Sequence, residues 1–66
     1  MKATINGESR EIRAEATVER ILSDLHISPA GTAVAVNDRV VPKAEHATHR
    51  VREGDRIEII VAVAGG

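Results

Sequence analysis

Cysteine, phenylalanine, tyrosine and tryptophan are all missing from the 66 residues of this chain. Without Cys there is neither a disulfide framework nor a thiolate metal site, a composition that suits a reducing, cytoplasmic compartment. Without aromatic rings there is no platform on which the bases of a single-stranded nucleic acid can stack. An excess of one charge is lacking too. Nine Lys and Arg against ten Asp and Glu leave a formal net charge of -1, so there is no basic field to hold phosphates by counterion release. Nucleic acid is therefore not an expected partner. No apolar run approaches the roughly 20 residues of a membrane-spanning helix, and no N-terminal stretch reads as a secretion signal. No membrane role is expected either.

What remains is an aliphatic chain long enough for one domain over residues 1–66. A chain this short buries only about 60% of the surface that its unfolded form exposes, and Ala, Val, Ile and Leu must form the whole core. Lys2 to Asn6 alternates polar and apolar, Asn6-Gly7 favours a tight hairpin turn, and Glu8 to Arg13 reads as the returning strand with Ile12 as its clearest inward residue. Thr17 can cap a helix whose Val18, Ile21, Leu22 and Leu25 fall on one face. Ser28-Pro29 and Gly31 are read as its stop. Thr32 to Val36 and Arg39 to Val41 form a second hairpin about Asn37-Asp38. Lys43 to Val51 has no clear period and reads as an exposed loop with one helical turn. After a turn at Arg52 to Asp55, Arg56 to Val63 is the strongest strand, its Ile57, Ile59, Val61 and Val63 assigned to the core face and Glu58, Ile60 and Ala62 to the other. One helix covers one face of a sheet, so an α+β mixed sheet with one wet face is expected.

Catalytic constellations are scarce. His46 and His49 lie three apart but lack further ligands, so no metal site is assigned to them. His26 follows the last apolar helical residue, where an imidazole can meet the negative end of the helix dipole. The carboxylates are scattered over turns and helix faces, and Gly7, Gly31 and Gly54 are explained by turns. An enclosing pocket would consume the core of so small a domain, so the chain is not expected to catalyse alone.

The chemistry is at the end of the chain, VAVAGG. Two consecutive terminal glycines arise by chance roughly once in 200 chains at the average glycine frequency. The terminal carboxylate, with a pKa of about 3.5, is ionised at neutral pH and follows a segment without side chains. Such a segment can enter a narrow channel and lay its carboxylate against the α-phosphate of ATP in a partner enzyme. The resulting acyl-adenylate is open to attack by sulfur or nitrogen.

The strand, strand, helix, strand order, the run Glu53-Gly54-Asp55-Arg56-Ile57-Glu58-Ile59-Ile60 and the ending Val63-Ala64-Gly65-Gly66 together resemble the ubiquitin-like sulfur-carrier proteins over essentially the whole chain. The short length, the segment Val34-Ala35-Val36-Asn37 running to Val40-Val41-Pro42 and the E-G-D turn most resemble the thiamine-biosynthesis branch. This resemblance implies a ubiquitin-like β-grasp with a five-stranded mixed sheet, its first and last strands parallel and central, one main helix across one face, and residues 64–66 as a flexible tail. It also implies a carrier, not an enzyme, with no bound cofactor. An E1-like adenylating enzyme uses ATP to adenylate Gly66, beyond Ala64 and Gly65. A sulfur donor, a cysteine desulfurase or similar, then gives the thiocarboxylate, and thiazole synthase takes the sulfur. The open sheet face beside the tail, at Ile60 with Glu58 and Ala62, is implied to dock the activating enzyme. Alternatives at this point are the small subunit of molybdopterin synthase, a protein modifier joined to lysines through Gly66, and a non-covalent β-grasp binding module.

Overall fold

Two Asn-led turns shape the sheet in the computed structural model, which describes residues 1–61. Strands β1 (Lys2–Ile5) and β2 (Glu8–Glu11) meet at Asn6 and Gly7, with φ of 51° and 85°. Both angles belong to the two-residue turn whose twist matches that of paired strands, which is why Asn-Gly is favoured there. Strands β3 (Thr32–Val36) and β4 (Arg39–Val41) meet in the same way at Asn37 and Asp38, with φ of 52° and 67°. Helix α1 (Val18–Asp24) lies between the hairpins, and β5 (Arg56–Val61) follows a 3-10 turn at Lys43–Glu45. The sheet order is β2-β1-β5-β3-β4. Strands β1 and β5 run parallel and the other neighbours antiparallel, so β5 is the middle strand, as the β-grasp reading requires.

Both hairpin strands that precede the helix stop earlier than expected. β1 ends at Ile5 and β2 at Glu11, yet the pairing runs one step further: the Ile12 amide donates to the Met1 carbonyl at 2.7 Å and the Met1 ammonium to the Ile12 carbonyl at 2.9 Å, and Ile12 packs half-buried against the core as the inward residue of this segment. The ammonium of Met1 also donates to Glu11 Oε2 at 2.7 Å. That hydrogen bond, with the ammonium's charge, holds the Glu11 carboxyl below its ordinary value. A carboxylate with a lowered folded pKa stabilises fully above its unfolded value and loses that contribution as pH falls through the lowered one. Glu11→Gln should therefore narrow the difference in urea stability between neutral and acid pH. An unchanged difference would show that the pair contributes nothing.

Helix α1 begins as expected, with Thr17 Oγ1 accepting from the Arg20 amide at 3.2 Å. Its two leading amides find partners from far along the chain. Val18 N donates to the His49 carbonyl at 3.0 Å and Glu19 N to the His46 carbonyl at 2.9 Å, while Val51 N returns to the Ala16 carbonyl at 2.8 Å. The stretch read as an exposed loop is thus docked on the start of the helix. Val51 and His46 are buried, and His46 Nε2 lies 3.1 Å from the Val41 carbonyl oxygen. Because leading helical amides have no partner within the helix, this docking satisfies groups that would otherwise require water.

The helix stops earlier than Ser28-Pro29. The Ile27 amide donates to the Leu22 carbonyl at 2.8 Å and the His26 amide to the Ser23 carbonyl at 3.0 Å. With His26 at φ 59°, this is a Schellman ending, in which one left-handed residue closes the last carbonyls. His26 therefore ends the helix through its backbone, and an L side chain there carries a conformational cost. His26→Gly is expected to raise stability by about 0.5–1 kcal/mol in urea denaturation; a loss would show that the imidazole itself contributes.

Val18, Ile21 and Leu22 on α1 pack against Ala3, Ile5, Val34, Val36, Ile57 and Ile59 on the inner sheet face. The alternation assigned to β5 holds for Ile57 and Ile59, which are buried. It fails at Val61, which is 55% exposed. Val61 lies opposite Thr32, the first residue of β3, at the margin of the sheet, so it is not a core anchor. Val63 falls outside the described residues.

Candidate functional site

The terminal segment leaves from the strand that is best fixed in the sheet. β5 is flanked on both sides, by β1 through Thr4↔Arg56 and Ile5↔Ile57 and by β3 through five pairs from Val36↔Ile57 to Thr32↔Val61. Its last described residue, Val61, stands five residues before Gly66. Ala62, Ala64, Gly65 and Gly66 of the sequence-derived site fall outside the described residues.

Two site residues lie on β5. Ile60 is 68% exposed and pairs with Ala33; Glu58 is exposed and pairs with Ala35. Directly paired residues project to the same side of a sheet, so all four lie on the face away from α1. Ala35 pairs in turn with Val40 of β4, which is 74% exposed. Ile60, Ala33, Ala35 and Val40 thus form an apolar strip across three strands, with Glu58 beside it. Val40, Ala33 and Ala35 are absent from the sequence-derived site. The signal for Val40 was its place next to Val41 in a strand with alternating faces, but only the register shows that it shares a face with Ile60.

The histidines are not brought together as a site. His46 is buried against Val41, whereas His49 is half-buried and its carbonyl serves the helix. Among the described residues, no cluster of three or more His, Cys, Asp or Glu side chains could hold a metal ion. A half-open cleft of about 510 Å³, lined by Arg39, His49, Arg52 and Asp55 among others, opens at the Asn37–Asp38 end of the sheet. That is the opposite end of β5 from Val61. Among the described residues, no helix is long and apolar enough to cross a membrane.

A one-helix β-grasp with a central last strand that leads to Gly-Gly defines the ubiquitin-like carrier class. The ThiS family model matches residues 3–66, and the chain belongs to the ThiS family. The sulfur carrier protein ThiS of Escherichia coli is 35% identical over 66 residues, all of both chains. A thiazole synthase of Paramagnetospirillum magneticum is 41% identical over the same length, but the chain spans only 20% of that protein. Among solved structures, the thiamine biosynthesis protein ThiS of Geobacter metallireducens superimposes with a TM-score of 0.85 at 26% identity, covering all of both chains. The expected β-grasp fold and the thiamine branch are both borne out.

Proposed function

We propose that this chain is the sulfur carrier of thiazole formation in thiamine biosynthesis. The observation that carries the reading is the end-to-end likeness to ThiS sulfur carriers, which includes the terminal Gly-Gly. A partner enzyme adenylates the Gly66 carboxylate with ATP and releases pyrophosphate. A donor persulfide displaces AMP to give an acyl disulfide, a second thiol then reduces the S–S bond to leave the thiocarboxylate, and thiazole synthase accepts that sulfur. The presence of a homologous segment within two thiazole synthases supports such an acceptor, and favours it over molybdopterin synthase. The cytoplasm, where ATP is available and thiols stay reduced, is the proposed compartment.

The test is intact mass after incubation with ATP, an adenylating enzyme and a sulfur donor. A carrier gains AMP transiently and then exchanges one oxygen for sulfur. A protein modifier becomes attached to other chains, and a binding module stays unchanged. Consumption of the thiocarboxylate by thiazole synthase alone, and not by the large subunit of molybdopterin synthase, assigns the pathway.

The open-face strip is the proposed dock for the adenylating enzyme, with Ile60 at its centre and Glu58 and Ala62 as neighbours. An exposed Ile contributes little to folding, but an apolar anchor buried in an interface commonly contributes 2 kcal/mol or more. Ile60→Asp should raise the KM for the carrier by about 30-fold while thermal stability stays within a few degrees. Unchanged turnover would remove the strip from the interface.

A further inference from the structure

The carboxyl end of β5 is held on its β1 side by a side chain, not by a strand. The register of β1 against β5 ends at Ile5↔Ile57. The Asn6 amide makes the last backbone bond, donating to the Ile57 carbonyl at 2.9 Å, and at Gly7 the chain turns away into the hairpin. Alternate residues of a strand aim their backbone groups at the same neighbour. The next β5 groups that face β1 are thus those of Ile59, and no β1 strand residue is in register with them. Asn6 fills both places: its Oδ1 accepts from the Ile59 amide at 2.8 Å and its Nδ2 donates to the Ile59 carbonyl at 3.2 Å. The carboxamide thereby stands in for one more residue of β1.

A second Asn does similar work where β5 begins. The Asn37 amide donates to the Arg56 carbonyl at 2.7 Å and Asn37 Oδ1 accepts from the Arg56 amide at 2.9 Å. The two left-handed turn residues therefore grip β5 at its two ends from opposite neighbours. Only the Asn6 grip lies on the side of the terminal segment. Past Ile59, Ile60 and Val61 are in register with β3 alone, opposite Ala33 and Thr32.

We infer that Asn6 is a positioning residue for the carboxyl terminus. Its clasp on Ile59 makes that peptide the last one in β5 held from both sides, and so sets the base from which the terminal segment reaches a partner's active site. This role rests on the carrier reading above. Seven residues, from Ile60 to Gly66, follow the clasp, a reach of at most about 25 Å when extended. Opening the clasp moves the doubly held base back to Ile57, and the freedom gained by the segment must be lost again on binding. The cost falls on association with the adenylating enzyme and not on the chemical step, because the carboxylate itself is unchanged.

Asn6→Gly is the informative variant. Gly accepts the positive φ, so the hairpin turn persists while the clasp is lost. Asn6→Asp retains an acceptor for the Ile59 amide and serves as the conservative variant. Two measurements are needed: amide hydrogen exchange of the free protein, and steady-state kinetics with an ATP-dependent adenylating enzyme that activates the unsubstituted chain. Asn6→Gly should speed exchange at Ile59 by about 3- to 10-fold and raise the carrier's KM by a similar factor, the size of a net hydrogen bond, with kcat unchanged. Val34 exchange should not change, and Asn6→Asp should give a KM between the two. Uniformly faster exchange across β3 and β5 would make the clasp a matter of general stability and overturn the inference. Faster exchange at Ile59 with an unaltered KM would remove the positioning role while the carrier reading stands. Failure of the unsubstituted chain to be adenylated by any such enzyme would remove both, and the exchange data would show that the clasp itself is sound.

Discussion

Deletion of Gly66 abolishes adenylation and sulfur loading, the largest functional effect expected of any single change in this chain. The shortened protein still ends in a carboxylate, carried by Gly65, with the same intrinsic acidity. What changes is its position: one residue fewer moves the reacting oxygen back by about 3.5 Å. A displacement of about 1 Å can already cost about 100-fold where reaction depends on a near-attack geometry. The adenylation rate, followed by pyrophosphate release, should therefore fall by at least about 100-fold, while thermal unfolding stays where it was. Sulfur uptake by the shortened chain at an undiminished rate would sink the tail mechanism. Gly65→Val is expected to act in the same direction through width and restricted backbone angles.

The largest effect on stability is expected from Leu22→Ala. Leu22 is 2% exposed, and it sits on α1 in the cluster that joins the helix to both hairpins. Truncating a buried Leu costs about 2–5 kcal/mol, through lost transfer energy and the cavity left behind. A domain of this size has only about 3–10 kcal/mol in total. No aromatic side chain is present to fill the space, and no disulfide limits the unfolded state. The melting temperature should fall by about 10–30 °C at the several degrees per kcal/mol typical of small domains. A change of only a few degrees would mean that the core collapses around the gap. Leu25→Ala, at the half-buried C-cap position, should cost markedly less and serves as the comparison.

The elements themselves were legible along the chain because each depends on neighbours within a few residues. Asn6-Gly7 and Asn37-Asp38 mark turns by their tolerance of positive φ, and the spacing of Val18, Ile21 and Leu22 marks a helical face. The misreadings share a cause. The sequence places the stop of α1 at Ser28-Pro29 and Gly31, its strongest local breakers, but the actual ending uses two backbone bonds around His26, a residue type with no strong preference for that role. The segment from Lys43 to Val51 lacks a period because its order comes from docking its carbonyls on the start of α1, which repeated side chains do not encode. Val61 continues the alternation of Ile57 and Ile59, yet it stands opposite the first residue of β3 and is left largely exposed.

The same division holds for the site. The terminal glycines, the absence of cysteine and the apolar last strand point the proposed chemistry to the Gly66 carboxylate, because that chemistry needs only a reachable, ionised end. The strip that joins Ile60 to Val40 depends on which strands stand beside β5. So does the clasp from Asn6 to Ile59, which spans 53 positions of the chain. The local sequence determined the turns and the helical face and points to the proposed reactive end, since these rest on backbone preferences and on one functional group. The tertiary structure alone decided the strand order, the burial of His46 and the grip on β5, since each is a pairing between distant segments that no single segment specifies.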